Sequence, residues 1–98
     1  MLNSKQRAYL RGLANSIPAL YQIGKGGINE NFVSLINEAL EAKELVKVHV
    51  LENSMSDVRE LCNELAELTN SDPVQVIGSK FILYKESVDN KNIILPKR

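Results

Sequence analysis

The spacing of apolar residues switches back and forth between a helical and a strand period along this chain, and that alternation restricts the fold more than any other feature. Leu10, Leu13, Ala14 and Ile17 recur at helical spacing, which predicts a helix over 5–15 with Ser4 as its cap and Pro18 ending it. Phe32, Leu35, Ile36, Ala39 and Leu40 mark a second helix over 30–43, capped by Asn29. Val58, Leu61, Cys62, Leu65 and Leu68 mark a third over 57–69, capped by Ser54 or Ser56. Strand character appears at 20–23, at 45–51, where apolar residues alternate with Lys47 and His49, and at 74–77, which turns at Gly78-Ser79 into 80–85. The expected hairpin register sets Val76 opposite Phe81 and Val74 opposite Leu83 on one face, with Gln75, Ile77, Lys80, Ile82 and Tyr84 on the other. The order αβαβαββ predicts an α/β domain, a small four-stranded mixed sheet packed with three helices.

Ninety-eight residues fit a single domain, here with an ordered core over 2–87 and a C-terminal extension over 88–98. Within that extension Ile93-Ile94-Leu95-Pro96 is expected to dock as a short extended segment. No apolar run is long enough to read as a membrane span or a secretory segment. The lone Cys62 allows no intramolecular disulfide and no thiolate metal cage, so a reducing cytoplasm is the expected compartment. Cys62 itself reads as a small core residue.

Net charge is zero, but the charges are segregated. Residues 1–28 carry +4 with no acid, residues 29–72 carry −7, and residues 73–98 carry +3. If the two ends meet in space, the fold has a basic face and an acidic back, which can orient a polyanion despite the neutral total.

The junction Ile23-Gly24-Lys25-Gly26-Gly27-Ile28-Asn29 runs from a strand through a glycine-dense turn into a helix. Glycines there admit positive φ and close approach of a ligand to the main chain, and the first amides of the helix have no partner within it. With Lys25 on the tip, the junction suits a phosphate. A P-loop would need Lys-Ser or Lys-Thr where Ile28-Asn29 stands, and a dinucleotide fingerprint would need glycine in place of Asn29. The remaining phosphate motif is the G-x-x-G clamp that grips single-stranded RNA, which Gly24, Lys25, Gly26 and Gly27 fit.

Arg7 and Arg11 share a helix face, where an anionic partner would relieve their repulsion; with Lys25 and Lys85 they are expected to line one surface. His49 has no partner at ligand or catalytic spacing and reads as a strand residue. Glu60, Glu64 and Glu67 read as a solvated helix face. Of Tyr9, Tyr21 and Tyr84, at least two are expected to pack in the core rather than stack on bases. No catalytic triad, Cys-His pair or paired carboxylates stand out, so no enzyme, cofactor or metal is expected.

The chain also resembles the CRM-domain family (chloroplast RNA splicing and ribosome maturation), in its stand-alone bacterial, YhbY-like form. The resemblance is carried by Ser4-Lys5-Gln6-Arg7-Ala8-Tyr9-Leu10-Arg11, Gln22-Ile23-Gly24-Lys25-Gly26-Gly27, Ala42-Lys43-Glu44-Leu45-Val46-Lys47-Val48, Val74-Gln75-Val76-Ile77-Gly78, Leu83-Tyr84-Lys85 and Ile94-Leu95-Pro96. It implies a fold similar to the C-terminal domain of translation initiation factor three, and RNA binding through the glycine loop. It further implies association with precursors of the large ribosomal subunit, with ribosomal RNA as partner. Gly24, Lys25, Gly26 and Gly27 match the family's loop directly, whereas Arg7, Arg11 and Lys85 are added from charge and position. A monomer with no membrane or small-molecule partner is expected. The rival reading is a protein-interaction module using the acidic third helix or the mixed face of the hairpin, with the glycine loop purely structural.

Overall fold

The computed structural model describes residues 2–52 and 57–97. Its elements are α1 (Ser4–Ala14), β1 (Tyr21–Ile23), α2 (Glu30–Lys43), β2 (Leu45–Val50), α3 (Val58–Thr69), β3 (Asp72–Ile77) and β4 (Lys80–Tyr84). The strands form one mixed sheet of order β1-β2-β4-β3, in which β1 and β2 are parallel and the other pairs antiparallel. The α/β class, the three helices and the four-stranded sheet are those read from the sequence.

Alternation along each strand gives the sheet two apolar faces. On one, Ile23, Val46, Val48, Phe81 and Leu83 meet Ile36 and Leu40 of α2 and Leu61, Cys62 and Leu65 of α3. On the other, Leu45, Val74, Ile82 and Tyr84 meet Leu10 and Ala14 of α1, with Ile93 and Leu95 of the C-terminal segment packed alongside. Cys62 is fully buried as expected, and burial pushes its thiol up to about 11, against a smaller opposing effect of Arg59.

Local details differ from the sequence reading for identifiable reasons. The cap of α1 is Asn3, not Ser4: its side chain accepts from the Gln6 amide at 2.8 Å while Gln6 Oε1 accepts from the Asn3 amide at 3.2 Å, a reciprocal box that Ser4 cannot form with Gln6 two residues on. Asp57 caps α3, accepting from the Glu60 amide; the Ser54 and Ser56 expected there lie outside the described residues. Val76 does pair with Phe81, but Leu83 pairs with Pro73, and Val74 is the extra residue of a bulge. The bulge turns Val74 to the α1 face, opposite to the expected one. Leu68 is 51% exposed because it lines a groove with Ile28 and Val33 instead of meeting the sheet, and Leu35 is 45% exposed on the outer side of α2.

One buried carboxylate ties the two sides together. Glu44 follows α2 in the left-handed region at φ 69°, where a side chain costs about 1–2 kcal/mol over glycine. It is fully buried, and its carboxylate accepts from the backbone amides of Ser87, Asn92 and Ile93 at 2.7–2.8 Å. Its own carbonyl accepts from the Lys85 amide. Glu41, one turn earlier, accepts from the amides of Val88 and Asp89 and from the Ser87 hydroxyl. The C-terminal segment then crosses to α1, where Gln6 Nε2 donates to the Pro96 carbonyl at 3.1 Å.

Burial pushes the Glu44 carboxyl up, but the three amides and Lys91 more than offset it, leaving the group lowered. Glu41 is held down to about 2, chiefly by the Val88 and Asp89 amides. Replacing Glu44 by Ala is expected to cost on the order of 3 kcal/mol, since three amides lose a charged acceptor, read as a lower denaturant midpoint. Replacing Glu44 by Gly should recover only about 1 kcal/mol of that, from the relieved backbone. Both carboxyls are depressed in the fold, so their contribution is full above the ordinary value near 4.5 and fades as pH falls through the folded values. Backbone NMR signals of Ser87, Val88 and Asp89 should therefore move toward disordered positions as pH drops from about 4.5 to about 2. Glu41→Gln should show weaker anchoring already at neutral pH.

Candidate nucleic-acid interface

Parallel pairing of β1 with β2 sets Ile23 beside Val50, and the Leu51 amide donates to the Ile23 carbonyl at 2.8 Å. The Val50 amide donates to the Ser79 carbonyl at 2.7 Å. These bonds gather the start of the glycine turn, the end of β2 and the tip of the β3–β4 hairpin at one end of the sheet. The hairpin tip is shaped by Gly78 at φ +59°, with Ser79 in the ordinary region, the pattern of a type II′ turn.

The glycine segment is itself a closed turn. The Gly27 amide donates to the Gly24 carbonyl at 3.1 Å, leaving Lys25 and Gly26 exposed at the tip. Its glycines are not equivalent. Gly27 has φ +68°, so the chain direction into α2 depends on it. Gly26 has no positive φ, and a Cβ added there would meet nothing within 4 Å. The fold thus has no need of glycine at the tip.

The mouth of α2 offers less than the sequence suggested. Asn29 caps it, its side chain accepting from the Phe32 amide at 2.8 Å, and the Glu30 carboxylate stands in the first turn. A cap and a negative charge already use part of the favourable field at that helix end. The turn tip and Lys25 remain the exposed groups of the junction, free of a cap or a carboxylate of their own.

The other sequence-selected bases fall into two places. α1 crosses the sheet from the Pro73 carbonyl, to which Arg7 Nε donates at 3.3 Å, toward Ala14 and Asn15 beside Lys47 and Lys80. Arg11, half-buried, stands one turn further along this path than Arg7, about 6 Å nearer the helix end. Lys85 is not brought to the glycine turn. It follows Tyr84, which pairs with Leu45 at the opposite end of the sheet, about 20 Å away along the strands. Its Nζ donates to the Thr69 carbonyl at 3.1 Å, closing the end of α3. The expectation that all four bases line one surface therefore does not hold for Lys85.

The sheet instead supplies bases that the sequence reading did not select. Lys80 pairs with His49, one residue from the end of β2, and Gln22 pairs with His49 from the other side. The signal was present in the alternation of Lys47 and His49 with buried valines, but the adjacency of β2 and β4 was needed to use it. The tyrosines divide as expected: Tyr84 is buried and Tyr21 packs on the larger core, whereas Tyr9 is 43% exposed. Among the described residues no cluster of His, Cys, Asp or Glu could hold a metal ion.

The CRS1/YhbY (CRM) domain matches residues 2–85. A Bacillus subtilis protein, named probable RNA-binding protein YqeI, is 46% identical over 96 residues, covering 98% of this chain and all of that one. An RNA-binding protein of Haemophilus influenzae is 32% identical over 97 residues, covering 99% of this chain and 97% of that one. The Staphylococcus aureus protein SAV1595, solved in solution, superposes with a TM-score of 0.82 at 54% identity, covering 98% of this chain and all of that one. With a domain match over nearly its whole length and relatives of the same size, the chain belongs to the CRS1/YhbY (CRM) family.

Proposed function

We propose that this protein binds RNA without catalysing a reaction, and that it acts in the cytoplasm on ribosomal RNA of the large-subunit precursor. The observation that carries the reading is the exposed Lys25-Gly26 tip, where a glycine stands although the backbone does not require one. Its amides and the Lys25 ammonium would take the sugar–phosphate chain, with Arg11 extending the contact along α1. The names of the relatives from Bacillus subtilis and Haemophilus influenzae support RNA as the partner. The ribosomal assignment follows the family resemblance.

Gly26→Ala is expected to leave the melting temperature within about a degree, because the added methyl meets nothing, yet to weaken RNA binding about tenfold by holding the backbone off the phosphate. Equal affinity of the two proteins in fluorescence anisotropy, with a fragment of precursor large-subunit RNA as ligand, would remove the turn from the site. Gly27→Ala should instead destabilise the fold by about 1 kcal/mol, since its φ is positive.

Affinity should fall with salt at a log–log slope of roughly −0.7 per phosphate neutralised, and Lys25→Ala should reduce the slope by about one such step. A protein partner retained after RNase treatment would favour the rival, protein-interaction reading.

A further inference from the structure

We propose that the sheet face left uncovered beyond the end of α1 is a second RNA-contact surface, where a hollow takes a single nucleobase while the flanking phosphates lie on lysines. This rests on the RNA-binding reading above and extends it from the glycine turn to the sheet. Strand pairing lays the surface out as two rows. The first runs Lys47, Ile82, Gln75, and the second runs Gln22, His49, Lys80, Ile77. These residues share the face on which α1 packs; Ile82 is buried against α1, but the helix ends at Ala14 and the remaining residues of the rows keep part or all of their surface free. Gln22 and Lys80 are exposed, Lys47, His49 and Gln75 are half-buried, and Ile77 is 56% exposed.

The chemistry of the rows favours one class of occupant. Neither row contains a carboxylate, although the chain has as many acids as bases. Between the rows and the end of α1 lies a hollow of about 260 Å³, bordered by Asn15, Lys47, Gln75, Ile77 and Lys80 with Ile82 beneath. That is smaller than the roughly 300–1,000 Å³ of sites that enclose a whole small molecule, and suits one ring presented by a longer chain. Ile77, exposed at the edge of the hollow, offers apolar surface to a ring, and the buried Ile82 forms the floor beneath. The Asn15 and Gln75 amides each carry a donor and an acceptor, the pairing needed to meet the edge of a base. Lys47 and Lys80 stand on either side for phosphates. Gln22 is two residues before Gly24, so a strand held at the turn continues directly onto the rows.

The test compares, on the full-length protein, amide NMR shifts produced by a single-stranded RNA hexamer and by an abasic oligonucleotide of equal length. The RNA should shift the backbone signals of Lys25 and Gly26 together with the side-chain amides of Asn15 and Gln75. The abasic strand should shift the former and leave the latter in place. The double variant Lys47→Ala, Lys80→Ala, which removes one half-buried and one exposed lysine and neither from a core cluster, should keep its melting curve and lose ten- to hundredfold in RNA affinity. RNA shifts confined to the glycine turn would overturn the sheet proposal and leave the turn as the site. RNA shifts nowhere on the protein would overturn both readings. Shifts of Asn15 and Gln75 by a polyglutamate peptide as large as those by RNA, at equal charge, would mark the face as a site for acidic protein and overturn the proposal.

Discussion

Glu44 stands at the point where the helix α2, the strand β2, the exit of β4 and the C-terminal segment converge. A residue in the left-handed region at a helix end is ordinarily glycine, because glycine alone adopts it without strain. Here the strain of a side chain is offset by what the carboxylate does: it gathers the buried amide of Ser87 and the part-buried amides of Asn92 and Ile93. Glu41 secures the same segment from outside. Through these contacts the C-terminal segment joins the wall of the smaller core, with Ile93 and Leu95 packed against it.

That anchoring also decides the charge distribution. α1 carries Lys5, Arg7 and Arg11, and the C-terminal segment, fixed to the same side, adds Lys91 and Lys97. The opposite side is built from α2 and α3, which carry Glu30, Glu38, Glu41, Glu60, Glu64 and Glu67 against Lys43 and Arg59. A neutral chain thus becomes a two-sided body, basic over α1 and acidic over α2 and α3. Such a body can turn one side toward a polyanion and keep its solubility with the other.

Some of this was readable from residues alone, and some was not. The glycine turn, the Asn29 cap and the alternation in β2 are local, set by neighbours a few positions apart, and the structure follows them. Simple alternation puts Val74 on the face of Val76, but a bulge beside Pro73 shifts the register by one residue, and a shift of one reverses the face. Charge alone groups Lys85 with the arginines, but it sits past the end of β4 and closes α3. Leu68 fits a helical stripe, yet that stripe meets Ile28 and Val33 across a groove instead of the sheet.

By itself the sequence determined the elements, their order, the glycine turn and the segregation of charge along the chain. Each of these is a property of short stretches, fixed by backbone preference and by the period of apolar side chains. Only the tertiary structure decided that β2 lies beside β4, so that Lys47, His49 and Lys80 meet on one face next to the glycine turn. Strand order is chosen by how two apolar faces are covered at once, and no local stretch of chain carries that information.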